Sequence, residues 1–181
     1  MYKPDDEKMK ELVLYISDRC ENDPTFGVVK LNKILFFSDF LACRYFGTPI
    51  TGQEYQALPQ GPAPRRLLPL REELIREQKL FLKELQFFGY EQCKPIACVS
   101  PSLDRFTPQE IDIVNRVIEV LADKTASEVS ELSHQFPGWR LAGNGETIPY
   151  AVAHVSASQP TESERVHANN LLPEARRVMG R

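Results

Sequence analysis

Apolar side chains recur along this chain mostly at helical spacing. Met9, Leu12, Val13, Ile16 and Cys20 fall three or four residues apart, which lines one face of a helix. This predicts a helix over residues 5–22. Asp5, Asp6 and Glu7 sit in its first turn, where negative charge suits the helix dipole, and Asn22-Asp23-Pro24 ends it. Residues 28–46, VVKLNKILFFSDFLACRYF, carry apolar groups on nearly every face. That pattern predicts a helix at the centre of the domain, stopped by Gly47. A turn over Pro49 and Thr51-Gly52 leads to a short strand from Tyr55 to Leu58. Pro59, Gly61, Pro62 and Pro64 are then expected to rule out regular structure. A helix follows over residues 65–78, with a first turn before Pro69 or a kink there.

Residues 79–88 read in two ways. With Gly89 and the run Pro95 to Val99 they form a hairpin, its strands near 80–87 and 92–99; alternatively their first part continues as helix. Three later helix starts are well marked. Thr107-Pro108-Gln109-Glu110 combines an N-cap, a proline at the first helical position and a capping-box glutamate. Ile111, Val114, Val117, Ile118 and Leu121 supply the stripe that follows, to about residue 123. Thr125-Ala126-Ser127-Glu128 repeats the box and opens a helix to about Gln135. Thr161-Glu162-Ser163-Glu164 opens the last, to about Met179, whose thin apolar face (Val166, Leu171, Val178) packs weakly or awaits a partner. The stretch 137–158, with Pro137, Gly138, Gly143, Asn144-Gly145 and Pro149, reads as loop with one extended piece near Ile148. The expected fold is mainly α within the α+β class: a compact helical domain around the central helix 28–46, with a small β-hairpin or short strands. Residues 1–155 are expected to form the domain and 156–181 a C-terminal helical extension.

The chain has 181 residues, 42% hydrophobic and 26% charged, with a net charge of −3. That is enough chain to bury a core, and the composition is that of a globular protein. The weakly acidic balance counts against nucleic acid as the main partner. The N-terminus lacks the apolar core of a signal peptide, and no run reaches the roughly 18 apolar residues of a membrane span. A cytoplasmic protein without membrane contact is expected. Cys20, Cys43, Cys93 and Cys98 match no common zinc spacing, and buried free thiols are the simpler reading. No metal and no cofactor are expected. Charge is unevenly spread: residues 30–83 hold nine basic and five acidic groups between acidic flanks. A basic middle could steer an oppositely charged partner; solvated helix faces are the alternative.

Catalytic motifs are missing from the sequence: no glycine-rich phosphate loop, no G-x-S-x-G elbow and no H-E-x-x-H helix. No catalytic residue is assigned and the chain is not expected to be an enzyme. Four features remain. Asn32, Lys33 and Asp39 interrupt the central helix. Either Asn32 and Lys33 border solvent and Asp39 pairs with a basic side chain, or a partly buried Asp39 must find donors and so fixes the Tyr55–Pro64 loop or faces a partner. Gln60-Gly61-Pro62-Ala63-Pro64 is either a stiff exposed binding loop or a connector. Ser133-His134 with Trp139 reads as a core plug or as an aromatic anchor at an interface. The basic helix after the loop brings Arg65, Arg66, Arg71 and Arg76. Partner-binding candidates are therefore Lys33, Asp39, Tyr55, Gly61, Pro62, Arg65, Arg66 and Arg71, with His134 and Trp139 as structural or interface candidates.

The segment Lys30 to Phe40 (KLNKILFFSDF) resembles the core helix of the Panacea domain, the SocA-like antitoxin domain. Gly47-Thr48-Pro49-Ile50-Thr51-Gly52, Tyr55, Gly61-Pro62, Phe106-Thr107, Leu132-Ser133-His134, Trp139 and Gly145 to Tyr150 follow in that family's order, so the resemblance spans about residues 8–155. It implies an α-rich domain with small strands and an antitoxin that inactivates a cognate protein toxin by direct contact, as in type II toxin–antitoxin systems. It also implies an association with prophages or mobile elements. One member of the family delivers its toxin to a protease, so an adaptor role is the alternative, with a nucleic-acid-binding regulator as a further one; self-association is left open. Two departures are visible. Phe36-Phe37 stands where a Tyr-Phe-like pair is expected, and few residues precede the first helix, which counts against direct autoregulation through an added DNA-binding domain.

Overall fold

The computed structural model describes residues 2–87, 90–155 and 162–178. Asp5 starts the first helix by accepting a hydrogen bond from Lys8 N at 2.9 Å, and α1 runs over Asp6–Arg19. Helix α2 spans Val28–Phe46, the range its apolar run predicts. It ends at Gly47, whose φ of +76° is the left-handed turn that glycine makes without a steric penalty. Leu31, Ile34, Leu35, Phe36, Phe40, Ala42 and Cys43 on α2 are buried. At about 1.5–3 kcal/mol for each large apolar side chain, this helix dominates the core.

Strands β1 (Tyr55–Leu58) and β2 (Gly61–Pro64) form an antiparallel hairpin, with Ala57 opposite Pro62 and Tyr55 opposite Pro64. The expectation that prolines forbid regular structure here is therefore corrected. Ala57 N donates to Glu146 O and Ala57 O accepts from Gly145 N, so Ala57 faces away from β2. Pro62 and Pro64, opposite Ala57 and Tyr55, then turn their nitrogens to the outer edge, where no ladder bond is lost.

Helix α3 covers Leu67–Arg76. Pro69 falls in its first turn, where no intrahelical N–H is required, so the helix starts before the proline as one of the two readings expected. Strands β3 (Leu80–Phe87) and β4 (Tyr90–Ala97) make a second antiparallel hairpin, which settles the ambiguity at 79–88 in favour of strand. Helices α4 (Pro108–Leu121) and α5 (Ala126–His134) each begin with a complete capping box, on Thr107 with Glu110 and on Thr125 with Glu128.

The stretch expected to be mostly loop is more ordered than its glycines and prolines indicate. It holds α6 (Pro137–Leu141), β5 (Thr147–Ile148) and a 3₁₀ helix (Tyr150–His154). Pro137 takes the first position of α6, a place that suits it. Strand β5 pairs with β1 and completes a sheet of order β2-β1-β5. Helix α7 covers Glu162–Val178; its expected cap Thr161 and end Met179 lie outside the described residues.

Two apolar clusters share α2. The larger gathers α1, α3, α4 and α5 side chains around Leu31, Ile34 and Leu35. The smaller joins Phe36, Phe40 and Cys43 to Tyr55, Ala57, Ile148 and Ala153. The fold is mainly helical with a few short antiparallel strands, as the sequence predicts. No described helix is long and apolar enough to cross a membrane.

Candidate partner-binding site

Helix α2 carries three buried charged side chains: Lys30 pairs with Asp23 at 2.8 Å, whereas among the described residues neither Lys33 nor Asp39 pairs with an opposite charge. The Asp39 carboxylate is fully buried. It accepts hydrogen bonds from Thr51 N at 2.7 Å, from the Thr51 hydroxyl, and from Tyr55 Oη at 2.8 Å. Burial raises its pKa against the opposing pull of those donors. Burial together with the neighbouring carboxylate also holds the Tyr55 and Tyr150 hydroxyls protonated well above the usual tyrosine range. Tyr150 Oη donates to Gln53 O at 2.8 Å. Asp39 thus ties the 51–55 segment to the helix, and no basic side chain pairs with it.

Of the two readings of the central helix, the one in which Lys33 borders solvent is overturned: Lys33 is 2% exposed. Its Nζ donates to Pro62 O at 3.1 Å, and burial lowers its pKa to about 8. Gly61, with φ +97°, sits against it: a Cβ there would lie 2.9 Å from Lys33 Nζ and 2.2 Å from Ser133 Oγ. The β1–β2 hairpin is therefore held from both sides of α2, by Asp39 at its start and Lys33 at its end. Lys33, Asp39, Tyr55, Gly61 and Pro62, singled out as contact residues, all lie inside the fold. They shape a surface from beneath and do not present side chains on it. Of the two readings of 60–64, the stiff exposed loop is not what forms: Gln60 is an exposed turn residue and Gly61–Pro64 is a mostly buried strand.

The arginines after the hairpin are turned to the chain's own groups. Arg65 donates to Gln56 Oε1 at 2.9 Å, Gly145 O at 2.6 Å and Thr147 Oγ1 at 3.1 Å. Its guanidinium also lies 3.8 Å from Glu54. Arg66 grips both carboxylate oxygens of Asp6, at 3.2 and 2.6 Å. Arg71 is half-buried and its Nε finds no acceptor. Of the basic middle read from the sequence, Lys30, Arg65, Arg66 and Lys79 are matched by carboxylates within the fold.

Trp139 stacks on His134, with ring centroids 3.9 Å apart and planes 16° from parallel. Its Nε1 donates to Leu58 O at 2.9 Å, and its ring packs against the smaller cluster. His134 Nε2 is buried without a hydrogen-bond partner. The pair closes β1 against α5 and α6. Thr51, Tyr150 and Ser133 complete these contacts. Sequence reasoning passed over Thr51 and Tyr150 as partners of the buried charge network, and only the Thr51-Gly52 turn marked the place.

The four cysteines are free, and burial pushes the Cys20 thiol up to about 12. Among the described residues no group of three or more His, Cys, Asp and Glu side chains converges. Two depressions open to solvent, of about 370 and 480 Å³. Thr107 lines one and Glu128 the other, and both side chains are already committed to helix capping.

Residues 31–140 match the family model described as antitoxin SocA-like, Panacea domain, and the chain belongs to that family. The matched range runs from α2 to α6, so it contains Lys33 and Asp39, the first hairpin and the Trp139 stack. No curated protein and no solved structure matches the chain.

Proposed function

We propose that this chain is the antitoxin of a type II toxin–antitoxin system, acting in the cytoplasm by binding a cognate protein toxin without bond-making chemistry of its own. Membership of the SocA-like antitoxin family carries this reading. The disposition of reactive groups supports it: Lys33, Asp39, Tyr55 and Ser133 are buried and engaged with the chain's own backbone and side chains. A buried, satisfied polar network fixes shape, and a fixed shape loses little entropy on docking.

The test is co-expression with the product of each neighbouring reading frame. A toxic neighbour whose growth arrest this chain relieves, and which co-purifies with it at a fixed ratio, supports the reading. Toxin abundance that falls only when a cytoplasmic protease is present would replace blocking by delivery for degradation. Failure to relieve the arrest of any toxic neighbour would reject the antitoxin role.

A further inference from the structure

We infer that the last turn of α2, Arg44-Tyr45-Phe46, is a knob that enters an acid-lined apolar cleft on the toxin. This rests on the antitoxin reading and adds to it the contact surface and the chemistry that surface meets.

Successive helical residues point about 100° apart, so α2 presents every side in turn, and none of its residues from Val28 to Cys43 is exposed. Arg44, Tyr45 and Phe46 are nevertheless all exposed, the two rings by 69% and 49%, and exposed Gly47 and Thr48 follow. One residue earlier, Cys43 is 1% exposed. A Cβ added to Gly47 would meet nothing within 4 Å. The helix therefore leaves the body after Cys43 and projects by one turn.

The projection is braced. Tyr2 Oη donates to Gly47 O at 2.6 Å, satisfying a carbonyl at the helix end. The Tyr2 ring stands edge-on to Tyr150, with centroids 5.4 Å apart. A braced knob orders few groups on docking.

Its charge is unmatched, unlike that of the arginines on the hairpin side. Asp6 pairs with Arg66, Glu54 lies against Arg65, and Asp5 is nearest Arg105. Among the described residues Arg44 has no carboxylate within 4.0 Å. Arginine and aromatic side chains on a convex surface are the residue types that dominate interface energetics. A convex positive surface is complementary to a concave negative one.

The test uses the full chain and the toxic product of the adjacent reading frame. Arg44→Glu, and Tyr45→Ala combined with Phe46→Ala, are compared with Arg76→Glu, which changes charge equally on exposed α3. Each knob variant is expected to bind about tenfold or more weakly and to need more expression to restore growth. Arg76→Glu should bind like the parent, and Arg44→Lys should keep most of the affinity. Thermal midpoints should stay within about 4 °C of the parent. If the double variant unfolds, Arg44→Glu decides alone: an acid-to-arginine change in the toxin's cleft should restore its binding. Knob variants that bind and rescue like the parent overturn the inference, as does self-association of the parent that these variants abolish. A parent that neither binds nor rescues overturns the antitoxin reading itself, and the knob with it.

Discussion

Ser133 Oγ fills the space in which a side chain on Gly61 would begin, 2.2 Å from the position of a Cβ. Gly61 also holds a φ of +97°. Two independent penalties therefore meet at one residue. Gly61→Ala should cost about 3 kcal/mol, the sum of a left-handed backbone penalty and local overpacking. Urea unfolding measures it. Ser133→Ala in that background should recover only part of the cost, because Lys33 also crowds the added Cβ at 2.9 Å and the backbone penalty stays.

Lys33 makes stability depend on alkaline pH. Its pKa is about 8 in the fold against 10.5 in the unfolded chain. Between these values the unfolded chain binds more protons, so stability from this group rises with pH. Below about 8 both states are protonated and the burial cost is fully present; above 10.5 it is gone. The total is roughly 3 kcal/mol. Cys20, raised to about 12 by burial, works in the opposite direction above its unfolded value, so the parent alone is ambiguous. The difference between parent and Lys33→Met in urea midpoint, from pH 7 to 10, isolates the slope. A difference that stays flat would refute the buried setting of Lys33 without a carboxylate partner.

Asp39 is expected to behave as one unit with Thr51 and Tyr55. Tyr55→Phe removes one donor and should cost about 1–2 kcal/mol. Asp39→Asn replaces an acceptor by an N–H₂ group facing donors and should cost about 3 kcal/mol or more. The double variant should cost less than the sum, because the first change already breaks what the second would lose. Strict additivity in chemical denaturation would show that the hydroxyl and carboxylate act separately.

Thr107→Ala and Thr125→Ala each remove one half of a capping box. Each should cost about 1 kcal/mol, readable as a fall in thermal midpoint. Thr→Ser at either position should recover most of it, since the hydroxyl is the capping group.

Legibility followed the range of the forces involved. The capping boxes, the bounds of α2 and the strand Tyr55–Leu58 were readable because local sequence decides them. Strand β2 was not: proline argues against a central strand, and nothing local says that this strand would be an edge. Helix α6 was hidden by Pro137-Gly138, which reads as a breaker until Pro137 is seen at the first helical position. At the site, the sequence marked Lys33 and Asp39 as unusual on an apolar helix. It could not tell which sides of that helix were covered, because apolar residues lie nearly all round it. The pairing of Arg66 with Asp6, 60 positions apart, leaves no trace in local charge counts, so the arginines looked available. The projecting end of α2 was invisible for the same reason: exposure there depends on where the rest of the body stops.

The edge of β2 has a consequence for self-association. Its outward nitrogens belong to Pro62 and Pro64, which have no hydrogen to offer, and the outward carbonyl of Pro62 is already taken by Lys33. A further strand arriving at this side would find almost nothing to zip onto. This side of the sheet is thereby closed to strand addition from a second copy, one common route to aggregation.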